Sequence, residues 1–456
     1  MATAPVQTSL RYPPGPSPRE MLAKIRKIQS NAPGFLVELS QQCGDLAYLM
    51  VGLQPVFFVS HPDGVKHILQ DQHRRYSKDT IQYNALATIT GRGLLTSDGP
   101  FWLRQRRLAQ PAFSRPRMMA LDQIIVPAAR AMLNRWELAA HSGQTLDIDS
   151  EMMRLTLEIV GKALFSIDLS HNAVRLTGAV LTALDHIMYR ARNMLVPPDF
   201  VPTPRNLRFR RAVRTLDEAV YGLIAERRHC GQPGEDLLGM LLQAHDEETG
   251  QPMSDLQVRD EILTMLITGH ETVASALTWA NYLLAGHTAA RAVLRAEVEH
   301  VLAGREPGFQ DLEPLGYTRQ VFSEALRLVP PAWVITRKAQ EADELRGYGI
   351  PAGALVIMSP YVLHRRPDFW EDPLEFLPER FLIEREAHRH RFAYIPFGAG
   401  PRICIGSSFA TIEATLILAM ITQRVWLDLV PGAPIQMDAL VTLRPQGGLP
   451  MRIGRY

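Results

Sequence analysis

Phe397 to Gly406 read FGAGPRICIG, a loop in which one cysteine stands among glycines, beside an arginine and just ahead of an apolar helical stretch. Gly398, Gly400 and Gly406 allow tight turns and a close approach of backbone to a flat partner. Cys404 falls on the N-terminal side of a helix that the pattern starts near Ser407, where the helix dipole and free N–H groups stabilise a thiolate. Arg402 adds positive charge nearby or reaches a carboxylate. Such a cysteine can serve as a nucleophile, a redox sensor, an iron ligand or a small buried apolar residue.

Three other stretches carry comparable signals. The run EILTMLITGHETVASALTWA (261–280) is an apolar helix interrupted by Gly269, His270, Glu271 and Thr272. A mid-helix glycine costs on the order of 1 kcal/mol against alanine, and an acid in apolar surroundings adds a further cost. Either this helix surfaces for one turn, or that turn does chemistry. Glu324 and Arg327 are three apart, so they share a helix face and can pair. In FWLRQRRLAQPAF (101–113), Trp102 and Arg106 share a face of what is otherwise a basic amphipathic helix.

The elements that must position these residues follow from periodicity and turn residues. Residues 1–20 form a Pro-rich lead-in, and strand texture covers 45–60, 333–360 and 426–455. Residues 62–330 and 406–424 are mainly helical, with helix-period segments at 117–141, 150–166, 205–229, 254–286 and 288–303. Two long, weakly patterned connections, 78–99 and 193–206, have the length of functional loops. No repeat and no clean linker is visible, so the expectation is one domain over 1–456, mainly α with a smaller β-rich part.

The spacing Phe397-x-x-Gly400-x-Arg402-x-Cys404-x-Gly406 resembles the haem-binding signature of the cytochrome P450 family of haem-thiolate monooxygenases. The other segments resemble the same family in the expected order, over roughly residues 45 to 425. The resemblance implies the family's fold, a helical bundle around haem b with a long central helix. It makes Cys404 the axial thiolate, with Phe397 beside the sulfur and Gly398 and Gly406 in the cofactor loop. It places Trp102, Arg106, Arg337 and Arg402 on the haem propionates. Gly269 would give room to dioxygen, Thr272 would hydrogen-bond it, and Glu271 would relay protons, while His270 faces away. Thr268 departs from the alanine or glycine usual there. Glu324, Arg327 and the Arg380 of LPERF would form a folding network. Pocket candidates are Leu94, Leu95, Thr264, Ile267, Thr268, Trp333, Val334 and Ile335, which suit an apolar substrate such as a fatty acid, terpenoid, steroid or polyketide.

Composition bounds the rest. With 49 basic and 47 acidic side chains the net charge is +2, which gives no general bias toward nucleic acid. Cys43, Cys230 and Cys404 are too few and too scattered for a disulfide framework or an iron–sulfur cluster. The start lacks a signal-peptide core, and no apolar run nears the ~18–20 residues of a membrane span. A soluble, cytoplasmic enzyme is expected, with no integral membrane anchor in the chain. The signature occupies nearly the whole length, so electrons must come from a separate ferredoxin or flavodoxin with its NAD(P)H reductase. The rivals are a peroxide-driven relative and a haem-thiolate ligand-binding or sensor protein without turnover. The first fits less well because Glu271 and Thr272 are present, and the second because the sequence offers no appended effector domain.

Overall fold

The computed structural model describes residues 11–141, 143–167, 173–193, 196–231, 234–245, 250–432 and 435–456. The first ten residues of the Pro-rich lead-in lie outside this set. The chain sorts into two compact units, each assembled from three separate stretches.

The smaller unit comprises Met1–Ile81, Val334–Pro373 and His390–Ile403. The lead-in is shorter than expected. Ser17 caps a helix over Pro18–Ser30, and Glu20 closes a reciprocal capping box. That arrangement satisfies two backbone N–H groups at once. Asn31 caps the next helix, Ala32–Cys43. The stretch LAYLMVGLQPVFFVS is the expected hairpin, Leu46–Val51 paired antiparallel with Gln54–Val59. It joins a five-stranded sheet in the order Leu46–Val51, Gln54–Val59, Leu355–Met358, Ile335–Ala339, Tyr76–Ser77. The second and third strands run parallel. The sheet carries an apolar core that includes Phe57, Ile68, Val356, Met358 and Ile395.

The larger unit comprises Gln82–Trp333, Leu374–Arg389 and Cys404–Tyr456. Its axis is a helix over Asp255–Gly286, 32 residues long, capped by Ser254 and Gln257. At 1.5 Å per residue it spans about 48 Å. The helix Ile148–Phe165 packs along it, and Asp122–His141, Gly316–Leu328 and Ser407–Arg424 complete the bundle. Val425–Leu429, Pro450–Arg455 and Thr145–Asp147 form a small sheet, and Met437–Ala439 pairs with Leu443–Pro445 in a separate hairpin.

Local expectations need four corrections. The 78–99 connection contains a helix, Ile81–Thr90; its Ile and Thr residues are weak helix formers that tertiary packing overrides. The 117–141 segment is two helices, Arg115–Met119 and Asp122–His141. A helix not singled out from the pattern covers Ala173–Arg192. The 193–206 connection ends early, because Thr203 caps a helix that begins at Pro204; residues 194 and 195 lie outside the described set. Among the described residues, no helix is long and apolar enough to cross a membrane.

Candidate active site

Every residue of the long helix from Val258 to Asn281 is buried, except Thr268, Gly269 and Thr272. These three share one face, being spaced i, i+1 and i+4. The interruption seen in the sequence is therefore a narrow, partly exposed strip of three residues on a buried rod, not a turn that surfaces. Thr268 Oγ1 donates to the Thr264 carbonyl at 2.7 Å, and Thr272 Oγ1 donates to the Thr268 carbonyl at 2.7 Å. Both hydroxyl protons are committed to the helix backbone, so each oxygen offers only lone pairs to a guest. A Cβ at Gly269 would stand 3.1 Å from a Val160 methyl, so this glycine lets the helix Ile148–Phe165 close in.

Glu271 and His270 lie on the buried sides. Burial pushes the Glu271 carboxyl up to about 7, opposed by a hydrogen bond from Thr442 and by the charge of Arg444. Thr442 Oγ1 donates to Glu271 Oε1 at 2.8 Å. His270 does face away: its Nδ1 is 2.7 Å from the Leu266 carbonyl, and burial holds its pKa down to about 4. The helix thus offers hydroxyl acceptors on the open face and a carboxyl that exchanges a proton near neutrality one residue behind.

Cys404 stands three residues before the helix Ser407–Arg424, and its side chain is exposed. Within the same unit, Trp102 is buried on the helix Gly99–Ala109 and Arg106 lies one turn further on. Burial lowers the pKa of the Arg106 guanidinium, and the nearby Cys404 pulls the other way. A Cβ at Gly406 would meet the Phe113 ring at 3.8 Å and the Cys404 sulfur at 4.0 Å, ordinary contacts that leave this glycine unforced. An accessible thiol near an arginine, together with an open helix face of small and hydroxyl side chains, fits a haem ligated through sulfur with an acidic edge. Among the described residues no group of three or more His, Cys, Asp and Glu could hold a metal ion by itself.

The Glu324–Arg327 pair is fully buried and doubly bonded, with Arg327 Nε and Nη2 each 2.7 Å from a Glu324 oxygen. Arg327 also donates to the Glu375 carbonyl at 2.9 Å, and the Leu377 N–H donates to Glu324 at 2.9 Å. Arg380 Nε approaches Glu324 at 3.4 Å. The three residues are thus brought together, with the backbone at 375–377 threaded between them.

Six of the pocket candidates, Thr268 among them, belong to the larger unit, on the long helix or in the segments around it. Leu94 is buried and Leu95 half-buried in a turn that lies flat on the helix. The Arg92 N–H donates to Asp260 at 2.8 Å and the Leu94 N–H to Glu261 at 3.0 Å. A Cβ at Gly93 would fall 2.1 Å from Thr264 Oγ1 and 2.7 Å from the Asp260 carbonyl, so only glycine fits. Thr264 and Ile267 are buried, and the Trp333 indole donates to the Leu440 carbonyl at 3.0 Å. The remaining candidates belong to the smaller unit. There Ile335 and Arg337 are buried on one strand, preceded by half-buried Val334. Phe397, Gly398 and Arg402 lie on the His390–Ile403 loop. Gly400 in that loop has φ +69° and would drive a Cβ to 1.9 Å from the Leu69 carbonyl.

Sequence reasoning missed Thr442, the Arg444–Asp149 pair, Asp260 and Glu261. It also missed Glu413, buried without a hydrogen bond to either oxygen and held well above the usual carboxylate range by burial. An acid inside an apolar helix is a signal for Glu261 and Glu413; nothing local marks Thr442.

The family described as Cytochrome P450 matches residues 13–449. Cyclooctatin synthase of Streptomyces melanosporofaciens is 39% identical, with 88% of this chain and 87% of the relative covered. Cyclooctat-9-en-7-ol 5-monooxygenase of the same organism is 36% identical, covering 88% and 86%. The crystal structure of the cytochrome P450DA heme domain superposes with a TM-score of 0.88 at 28% identity, over 98% of each chain. The chain belongs to the cytochrome P450 family and is a haem-thiolate monooxygenase.

Proposed function

We propose that the protein hydroxylates or epoxidises a cyclic, largely hydrocarbon substrate of the terpenoid kind. It would use haem b, dioxygen and two electrons from a separate ferredoxin or flavodoxin served by an NAD(P)H reductase. One oxygen atom enters the substrate, and the other leaves as water with two protons. The observation that carries this reading is the opening at Thr268, Gly269 and Thr272 in an otherwise buried helix, backed by Glu271. For the substrate, the support is the relative named for cyclooctat-9-en-7-ol, a cyclic alkenol, together with the apolar side chains of Leu94, Leu95, Ile267, Trp333, Val334 and Ile335.

Haem held through a thiolate supplies the activation of dioxygen. Cys404 is the thiolate in this reading, in the loop of Phe397, Gly398 and Gly406. Trp102, Arg106, Arg337 and Arg402 are the residues that would hold the propionates, through charge-assisted bonds. Thr272, its proton already given to the Thr268 carbonyl, offers only oxygen lone pairs on the open face, where they would accept a hydrogen bond from water that brings protons to that face. Glu271 holds a proton near neutrality and gives it up one residue away, as a general acid must. Gly269 keeps the helix thin at that level. Glu324, Arg327 and Arg380 serve folding and haem retention.

The test is a titration of purified ferric protein followed by its Soret band, against cyclic terpenoid alkenes and alkenols, fatty acids, steroids and macrolides. A saturable spin-state shift with the first class, and NAD(P)H-driven product with a surrogate ferredoxin pair, are expected. A shift and product only with fatty acids, steroids or macrolides would overturn the substrate assignment. A shift without product would overturn the electron-donor assignment.

A further inference from the structure

The hairpin Met437–Ala439/Leu443–Pro445 is keyed onto the long helix by a row of side chains. Glu271, Ser275 and Trp279 are spaced i, i+4 and i+8 and so form one stripe. Thr442 Oγ1 donates to Glu271 Oε1 at 2.8 Å. The Leu443 carbonyl accepts from Ser275 Oγ at 2.6 Å and from Trp279 Nε1 at 2.9 Å. On its other sides the Leu443 N–H donates to the Pro331 carbonyl at 3.2 Å, and Arg444 pairs with Asp149 at the start of the helix Ile148–Phe165. Thr442 and Glu271 are both buried. The backbone on either side of Thr442 is therefore fixed, and its hydroxyl has a defined aim.

We propose that Thr442 is the positioning residue for the proton-donating carboxyl of Glu271, holding it in place in both of its protonation states. This rests on the role assigned to Glu271 above. The chemistry of a hydroxyl is what makes the choice apt. It donates to a carboxylate and, after rotation, accepts from a carboxylic acid. A lysine or arginine at this point would lock the carboxyl as an anion, and an alanine would leave a buried acid unbonded. The charged groups facing Glu271 are Arg444 from the hairpin, which favours the anion, and Asp149 from the neighbouring helix, which opposes it. His270 beside it is buried and held toward the neutral form, so it adds no charge at neutral pH.

The experiment is a pH titration of the carboxylic C=O infrared band of ferric protein, assigned to Glu271 by its loss in Glu271→Gln. Wild type should titrate near 7. Thr442→Val should move the midpoint up by about one unit, because the hydroxyl bonds the anion more strongly than the acid and its loss penalises the anion more. Thr442→Ser should restore it. The product formed per NAD(P)H should fall several-fold in the valine variant and recover in the serine variant. An unmoved midpoint in Thr442→Val would overturn the proposal and leave the hairpin a purely structural clamp. If the valine variant does not retain haem, the same midpoint is read in Thr442→Ala. If Glu271→Gln couples electrons to product as well as wild type does, the acid role of Glu271 falls, and the midpoint shift is judged separately.

Discussion

Two glutamates of the larger unit are buried to a similar degree, and the protein treats them in opposite ways. Glu324 meets a bidentate arginine, a backbone N–H and the approach of a second arginine. Glu271 meets one hydroxyl and a more distant arginine, and burial carries it up to about 7. A carboxylate given every partner it can use becomes part of the scaffold. One given a single reversible partner stays able to change its charge, and the cost of burying it is left partly uncompensated. The difference lies in the surroundings of the two side chains, since residue type and depth are alike.

The sharpest way to break the comparison is Glu324→Gln. Removing one partner of a buried, bonded ion pair should cost about 3–5 kcal/mol, read as a lower denaturant midpoint and a smaller haem-loaded fraction. Stability like that of wild type would mean that the network is ornamental. Glu271→Gln should behave in reverse, with turnover down at least ~100-fold, reducing equivalents diverted to peroxide, and a sound fold. The sign of its pH effect follows from the raised pKa. The folded protein keeps the Glu271 proton from 4.5 up to about 7 while the unfolded chain releases it, so wild-type stability falls across that window. The loss should reach about 3 kcal/mol, and the glutamine variant should lack that part of the slope.

Smaller effects sharpen the same contrast. Thr272→Ala removes one side chain–backbone bond, worth about 1 kcal/mol at most, yet should sharply lower product per electron as measured by peroxide release. Unchanged coupling would assign the oxygen contact to another group. Thr268→Ala should change least. It loses the same kind of bond, to the Thr264 carbonyl of its own helix, so stability should again change by about 1 kcal/mol or less, but no oxygen contact is assigned to Thr268 and coupling should hold.

What the sequence made legible is what lies close together along it. Glu271 and Thr272 are adjacent, Glu324 and Arg327 are one turn apart, and the Cys404 loop spans ten positions. Helix periodicity placed Asp255–Gly286 almost to the residue. The Pro18–Ser30 helix also had a readable local signal, the Ser17-to-Glu20 box, hidden by the prolines around it. Thr442 had none. Its partner is 171 positions away, and a threonine in the bend before a short strand looks like any other. The turn at Arg92–Leu94 likewise meets Asp260 and Glu261 only across 168 and 167 positions. The significance of Thr268 changed for a different reason: its hydroxyl proton is given to its own backbone, so it presents an acceptor and no donor.

The sheet of the smaller unit has a consequence for how the protein is made. Val56 sits opposite Leu355, 299 positions on, in the parallel pairing at the sheet's centre. A ribosome adding 5–20 residues per second needs roughly 15–60 s to supply that partner. Through that interval the nascent hairpin presents Phe57, Phe58 and Val59, all buried in the finished unit, beside an unpaired strand edge. Yield in a foreign host should therefore depend on chaperone supply and on temperature during translation, even where the completed protein is thermally robust.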